Sequence, residues 1–256
     1  MKTKTDLDRL ISQGYSLDFS QTFDEILAYF KKTFLLNGLV ILITTLLLVI
    51  IVFFGLGAGE LFKSFSDPAE VEALMLDKTF LIYYTLSIVF IVLLLAPLSA
   101  GFIQLNRDLD TADEVGIASV FKHYQSKYFL KIVGFTVVVQ VISSALTFIP
   151  FVGTLASYVI AWFTVLGIPL IIFANLSAFD AIVYSIKIVA KNPFNILLIL
   201  IVSILVSLVG FIGLCIGIFF TLPILYSAYY VLYKNIVGFE EEELVFDIEK
   251  DQSLED

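Results

Sequence analysis

The chain has 256 residues, of which 59% are apolar and only 15% charged, with 25 Phe and a net charge of −9. Ordinary soluble domains run nearer half apolar and a quarter charged, so this composition, with a mean hydropathy of +0.99, excludes one. Residues 33–59, 79–106, 132–179 and 192–233 contain no Asp, Glu, Lys or Arg at all.

About 20 consecutive apolar residues suffice to cross the hydrocarbon core of a bilayer. Windows 33–59 and 79–106 each predict one span, and the longer windows predict two spans each. Their turns fall near Ile149-Pro150-Phe151-Val152-Gly153 and near Gly210-Phe211-Ile212-Gly213. The expectation is an all-α polytopic membrane protein with six transmembrane helices. A transmembrane β-barrel would instead alternate in segments of about 10 residues, and these runs are continuous.

With the N-terminus inside, 13 cations lie on the cytoplasmic side and only Lys63 and Lys78 opposite. Such a bias sets orientation, so both termini are expected in the cytoplasm and the protein in the cell inner (plasma) membrane. Asp6, Asp8, Arg9, Asp18, Asp24 and Glu25 interrupt the first 30 residues, which therefore do not read as a cleavable leader. Most of the net charge sits in residues 239–256, where nine acids face Lys250 alone. Terminal acidic blocks are usually solvated, so 1–237 reads as a single membrane domain and 238–256 as an acidic cytoplasmic tail.

Three places pair a hydroxyl residue with an acid two or three positions on, the pattern of a helix-start capping box. They are Thr22-Phe23-Asp24-Glu25, Thr111-Ala112-Asp113-Glu114 and Ser177-Ala178-Phe179-Asp180. Each precedes an amphipathic stretch (19–31, 115–127, 179–190) of the kind that lies along a membrane surface. Each then leads into two spans, the second holding one proline: Pro97, Pro169 or Pro223. The sequence thus predicts three parallel pseudo-repeats, at about 19–107, 111–176 and 177–237. Repeats of this kind pack around an axis along the membrane normal. In the first, the acid-rich stretch from Gly59 to Lys78 reads as a solvated outer loop.

The chemistry is sparse. One histidine, His123, and one cysteine, Cys215, are too few for a histidine or cysteine metal centre, and His123 reads as a surface residue. No nucleophile elbow and no phosphate-binding loop is present. Asp108-Leu-Asp110-Thr-Ala-Asp113-Glu114 fails the calcium-loop pattern and reads as acids gathered at a helix N-terminus. No basic patch with interleaved aromatics suggests nucleic acid. No ionisable residue lies within a span, which disfavours ion-coupled transport. Gly213-Leu-Cys-Ile-Gly217 reads as a close helix-packing track. Pro97, Gln140, Pro169 and Pro223 are the candidate pathway or packing positions, because a proline frees a carbonyl that must find a partner. Neighbouring helices leave such a site dry, whereas water would make a path.

The stretch Ser177-Ala-Phe-Asp-Ala-Ile, Ser185 and Lys191-Asn192-Pro193, followed by an apolar hairpin, resembles a group of uncharacterised bacterial six-span integral membrane proteins. It is also similar to the membrane domain in front of some glycerophosphodiester phosphodiesterases. The resemblance covers roughly 111–237. In those enzymes the chemistry belongs to an attached soluble domain, so what it implies here is a membrane module without activity. The expectation is therefore a non-enzymatic scaffold or accessory subunit without cofactor or metal, contacting the bilayer and a membrane or cytoplasmic protein partner. The alternative is a channel or permease for a neutral or lipidic solute.

Overall fold

The computed structural model describes residues 2–55, 68–111, 115–147, 149, 152–213 and 216–239. The expected turn centre at Pro150 and Phe151, the acids Asp113 and Glu114, Cys215 and the tail from 240 lie outside the described residues. All regular structure among the described residues is helical.

In chain order the helices are α1 (Lys4–Gln13), α2 (Phe19–Gly55), α3 (Pro68–Leu76), α4 (Lys78–Asp108), α5 (Ile117–Phe121), α6 (Phe129–Thr147), α7 (Val152–Phe163), α8 (Gly167–Ala174), α9 (Ala178–Val189), α10 (Pro193–Leu208), α11 (Gly217–Thr221) and α12 (Ile224–Ile236). Short 3-10 turns at Lys122–Tyr124 and Val209–Gly213 extend α5 and α10. Among the described residues five stretches are long and apolar enough to cross a membrane: Phe19–Ile51, Lys78–Asp108, Phe129–Leu146, Val152–Ala174 and Pro193–Gly213. The sixth expected stretch is divided at Leu222-Pro223 into α11 and α12, of 5 and 13 residues. Neither piece reaches the length of a crossing alone.

The outer faces of the long helices are apolar and open. Ile51 is 63% exposed, Phe90 67% and Phe194 80%, surfaces a soluble monomer rarely presents in such extent. Inside, α12 packs on α2, α4 and α10, and α8 on α4, α6 and α12. Tyr230, Tyr233, Leu170 and Ile171 form the centre of this core, each at most 1% exposed.

The capping boxes fare unequally. Ser177 caps α9, its hydroxyl oxygen accepting the Asp180 N–H at 3.2 Å. At the first site the cap is Asp18, which accepts the Gln21 N–H at 2.7 Å, while Thr22 is buried at 2% exposure. Helix α2 runs unbroken from there, so 19–31 is the first part of the long helix that continues to Gly55, not a separate surface helix. The reason is that no glycine or proline interrupts the apolar periodicity between Phe19 and Asn37. The middle helix begins at Ile117 behind Gly116, with no side-chain cap, and is one turn long.

Helix α1 went unanticipated, although Thr3-Lys-Thr-Asp6 forms a full capping box. It packs on α9, where Lys4 pairs with Asp180 at 2.8 Å and Tyr184 donates to Asp8 at 3.1 Å. Part of the expected 59–78 loop is the helix α3, and Asp77 caps the next one by accepting the Thr79 N–H at 2.7 Å. The close glycine approach of the last hairpin is between Gly210 and Gly217. A methyl on Gly217 would come within 2.4 Å of the Gly210 carbonyl oxygen, whereas one on Gly213 meets nothing within 4 Å.

Candidate functional site

The three prolines are all buried, but they are not equivalently placed. Pro97 lies inside unbroken α4, eleven residues before its end. Pro223 lies thirteen before the end of α12, as its N-cap, and Pro169 only five before the end of α8. Pro169 therefore sits about 10 Å nearer its own helix end than the other two do, at 1.5 Å per residue. Pro169 and Pro223 also begin restarted helices, where the missing N–H would have had no intrahelical partner. Gln140 is half-buried on α6.

Hydroxyl groups of neighbouring segments meet the backbone at these breaks. Between α7 and α8 the Ser185 hydroxyl of α9 donates to the Phe163 carbonyl at 2.8 Å, and its oxygen accepts the Leu166 N–H at 3.2 Å. Beside Pro97 the Tyr124 hydroxyl donates to the Leu94 carbonyl at 2.7 Å. Two hairpins share a further clasp. Ser157 of α7 donates to the Ser143 carbonyl at 3.2 Å, and Thr221 of α11 donates to the Ser207 carbonyl at 2.6 Å, fourteen residues apart in both cases.

Ser185 is fully buried, so Ser185→Ala strands a carbonyl and an N–H together. The expected cost is about 1–3 kcal/mol, read as a lower thermal-unfolding midpoint in detergent. A midpoint unchanged from wild type would mean that water enters this break.

A cluster of ionisable residues lies where the ends of α2, α4 and α12 meet. Asp110, just past α4, accepts from the hydroxyls of Tyr29 on α2 and Tyr230 on α12. Lys234 lies 3.1 Å from Asp110 and 3.0 Å from Glu25, and donates to the Tyr29 hydroxyl at 2.6 Å. Asn235 donates to Glu25 at 3.0 Å. Burial alone would push the Asp110 carboxyl up, but hydrogen bonds from Tyr230, Tyr29 and Lys234 outweigh it and hold the group below the usual range. Deeper in, Ser227 donates to Asn106 at 3.0 Å.

The acid run 108–114 was expected at a helix N-terminus, yet Asp110 follows a helix end and clamps three donors. The signal in the sequence was the solitary Lys234 closing an uncharged window, four residues after Tyr230. Among the described residues no group of three His, Cys, Asp or Glu could hold a metal ion.

Two cavities flank this network. A cleft of about 180 Å³ lies between α2, α4 and the α11–α12 break, lined by Thr44, Thr45, Leu98, Ser99, Leu222 and Tyr226 among others. It adjoins Pro97 and Pro223, and neither Pro169 nor Gln140 lines it. A second cavity, of about 380 Å³, opens at the polar end and includes Gln104, Arg107, Asp108, Lys122 and His123 in its wall.

His123 corrects the surface expectation, being 2% exposed. The reason is the docking of the 117–124 segment on α4 across Gly101, which leaves no room between them and turns this side inward. Burial, with Lys122 nearby, pushes its imidazole down to about 4. Its Nδ1 shares a hydrogen bond of 3.2 Å with Ser126 Oγ, and its buried Nε2 has no partner.

An all-helical chain with several helices able to span a bilayer and with apolar outer faces on them is a multi-pass membrane protein. Comparison with protein-family models, curated proteins and solved structures finds no match for this chain.

Proposed function

We propose that this protein is a non-enzymatic scaffold or accessory subunit of the cell inner membrane, with six crossings and both termini in the cytoplasm. The observation that carries the reading is the dry repair of the helix breaks. At the break between α7 and α8, Ser185 supplies the hydrogen bonds that a solute path would take from water. Buried groups that satisfy one another rigidify a fold and leave little for catalysis or transport.

The places where helix ends meet support six crossings. Glu25 near the start of α2, Asp110 after α4 and Lys234 near the end of α12 are in contact. Lys131 of α6 donates to Asn175 after α8 at 2.8 Å, and Asn195 of α10 donates to the Leu17 carbonyl at 3.2 Å. Each hairpin thus has its two ends on one side, which supports reading α11 and α12 together as the sixth crossing. The shared Ser157 and Thr221 clasps support the repeat of the second and third hairpins.

Single cysteines at 65 and 250, in a chain with Cys215 replaced by Ser, are expected to label from opposite sides of intact cells. Equal labelling would refute the topology. The functional test is crosslinking in native membranes followed by purification. A stoichiometric protein partner is expected, along with a liposome solute permeability no higher than that of protein-free vesicles.

A second reading, a permease for a neutral or lipidic solute, is favoured by one observation. Asn37 on α2 is fully buried with neither amide atom partnered, one helical turn from Ile41 in the cleft wall. Solute flux in liposomes that Asn37→Leu abolishes would establish it over the scaffold.

A further inference from the structure

The cavity at the polar end is built from segments distant in sequence. Lys2 comes from the N-terminus, Gln104, Arg107 and Asp108 from the end of α4, Lys122 and His123 from the 3-10 turn, and Phe239 from beyond α12. Its wall therefore carries three cations against one carboxylate. That carboxylate, Asp108, is 3% exposed and already accepts from Gln104 Nε2 at 2.7 Å. The Arg107 guanidinium is stacked 3.6 Å over the Phe239 ring. A planar guanidinium held this way presents the fork that matches phosphate oxygens.

Buried polar atoms almost always have a partner, and the His123 Nε2 in this wall has none. That orphan points to a polar occupant. A volume of about 380 Å³ is that of a small-ligand site, and Tyr128, Phe173 and Tyr233 give it an apolar side. Basic pockets between helices at the cytoplasmic edge of a bilayer are suited to phosphate headgroups.

We propose that this cavity binds a phosphate-bearing anion, with Lys2, Arg107 and Lys122 neutralising its charge and His123 completing its hydrogen bonds. The phosphate belongs to an anionic lipid headgroup or to a free phosphate. Which leaflet supplies a lipid rests on the topology proposed above. Binding itself does not, because the test is made in detergent, where no sidedness exists.

The full-length protein is incubated with dioctanoyl phosphatidylglycerol or dioctanoyl phosphatidylcholine, and retained lipid is counted by native mass spectrometry. Inorganic phosphate binding is measured in parallel by equilibrium dialysis. The expected result is retention of one phosphatidylglycerol in preference to phosphatidylcholine. Binding of inorganic phosphate alone would support the site and assign it a soluble ligand.

The double variant Lys2→Gln and Lys122→Gln should weaken binding about tenfold or more, from the loss of two nearby cations, with an unchanged unfolding midpoint. Lys187→Gln, a change on α9 away from the cavity wall, should bind as wild type. Retention of neither probe, or equal loss in the Lys187→Gln control, would overturn the proposal. Undiminished binding by the double variant would do the same.

Discussion

Replacing Asp110 by Ala should cost about 2–4 kcal/mol of stability, the largest effect of any single side-chain truncation in the polar network. Two tyrosine hydroxyls and Lys234 converge on this one carboxylate. Removing it leaves two tyrosine donors without that acceptor and Lys234 with Glu25 as its only carboxylate, where breaking a fully buried pair costs about 3–5 kcal/mol. The side chains of Lys234 and Asp110 are 32% and 24% exposed, so water recovers part of that loss. The unfolding midpoint in detergent should fall on the order of 5–10 °C.

Lys234→Met should cost less, about 1–2 kcal/mol, because Asp110 keeps its tyrosine donors. The pH dependence has a definite sign. The Asp110 carboxyl is held below its ordinary value, so its contribution is complete above the unfolded value of about 3.9. It is lost as pH falls through the lower folded value. Asp110→Asn should flatten that acid limb of the stability curve. A stability profile that keeps the limb unchanged in Asp110→Asn would show that other carboxylates produce it.

Gly101→Ala should detach the 117–124 segment from α4 and expose His123. A methyl on Gly101 would lie 1.7 Å from the Val120 carbonyl oxygen and 2.5 Å from its carbon. Both obstacles are backbone, so no rotamer change relieves the clash and α5 itself must move. Overpacking of this kind costs about 1–3 kcal/mol, and the loss should concentrate in this one contact.

Because the chain has a single histidine, diethyl pyrocarbonate reports the movement directly. In the wild type the imidazole is buried and should react slowly. In Gly101→Ala it should react at the rate of a free imidazole, while Gly213→Ala, with open space around it, should match wild type. Slow reaction in Gly101→Ala would mean that the segment re-docks without yielding. The same substitution should also impair the phosphate-bearing ligand proposed for the cavity, since Lys122 and His123 travel with the segment.

Composition and periodicity determined the membrane character, the helical class and the positions of five helices long and apolar enough to cross. These features depend on runs of side chains compared with bilayer thickness, a one-dimensional match that needs no knowledge of neighbours. The Ser177 cap was legible for the same reason, since a hydroxyl and an N–H three residues apart meet through local geometry.

What the sequence could not decide is which partner each polar group finds. Thr22 has the pattern of a cap, yet Asp18 takes that role because the helix begins four residues earlier. His123 stands among Lys122 and Tyr124 as a surface residue would, and is buried only because Gly101 lets two backbones touch. Asp110 and Lys234 are 124 residues apart in the chain and 3.1 Å apart in space. The prolines were visible as breakers, but Pro97 leaves its helix continuous, and whether the break before Pro169 is wet or dry depends on Ser185 arriving from another segment. Long-range pairing of this sort is set by packing of whole helices, and that packing exists only once the tertiary structure has formed.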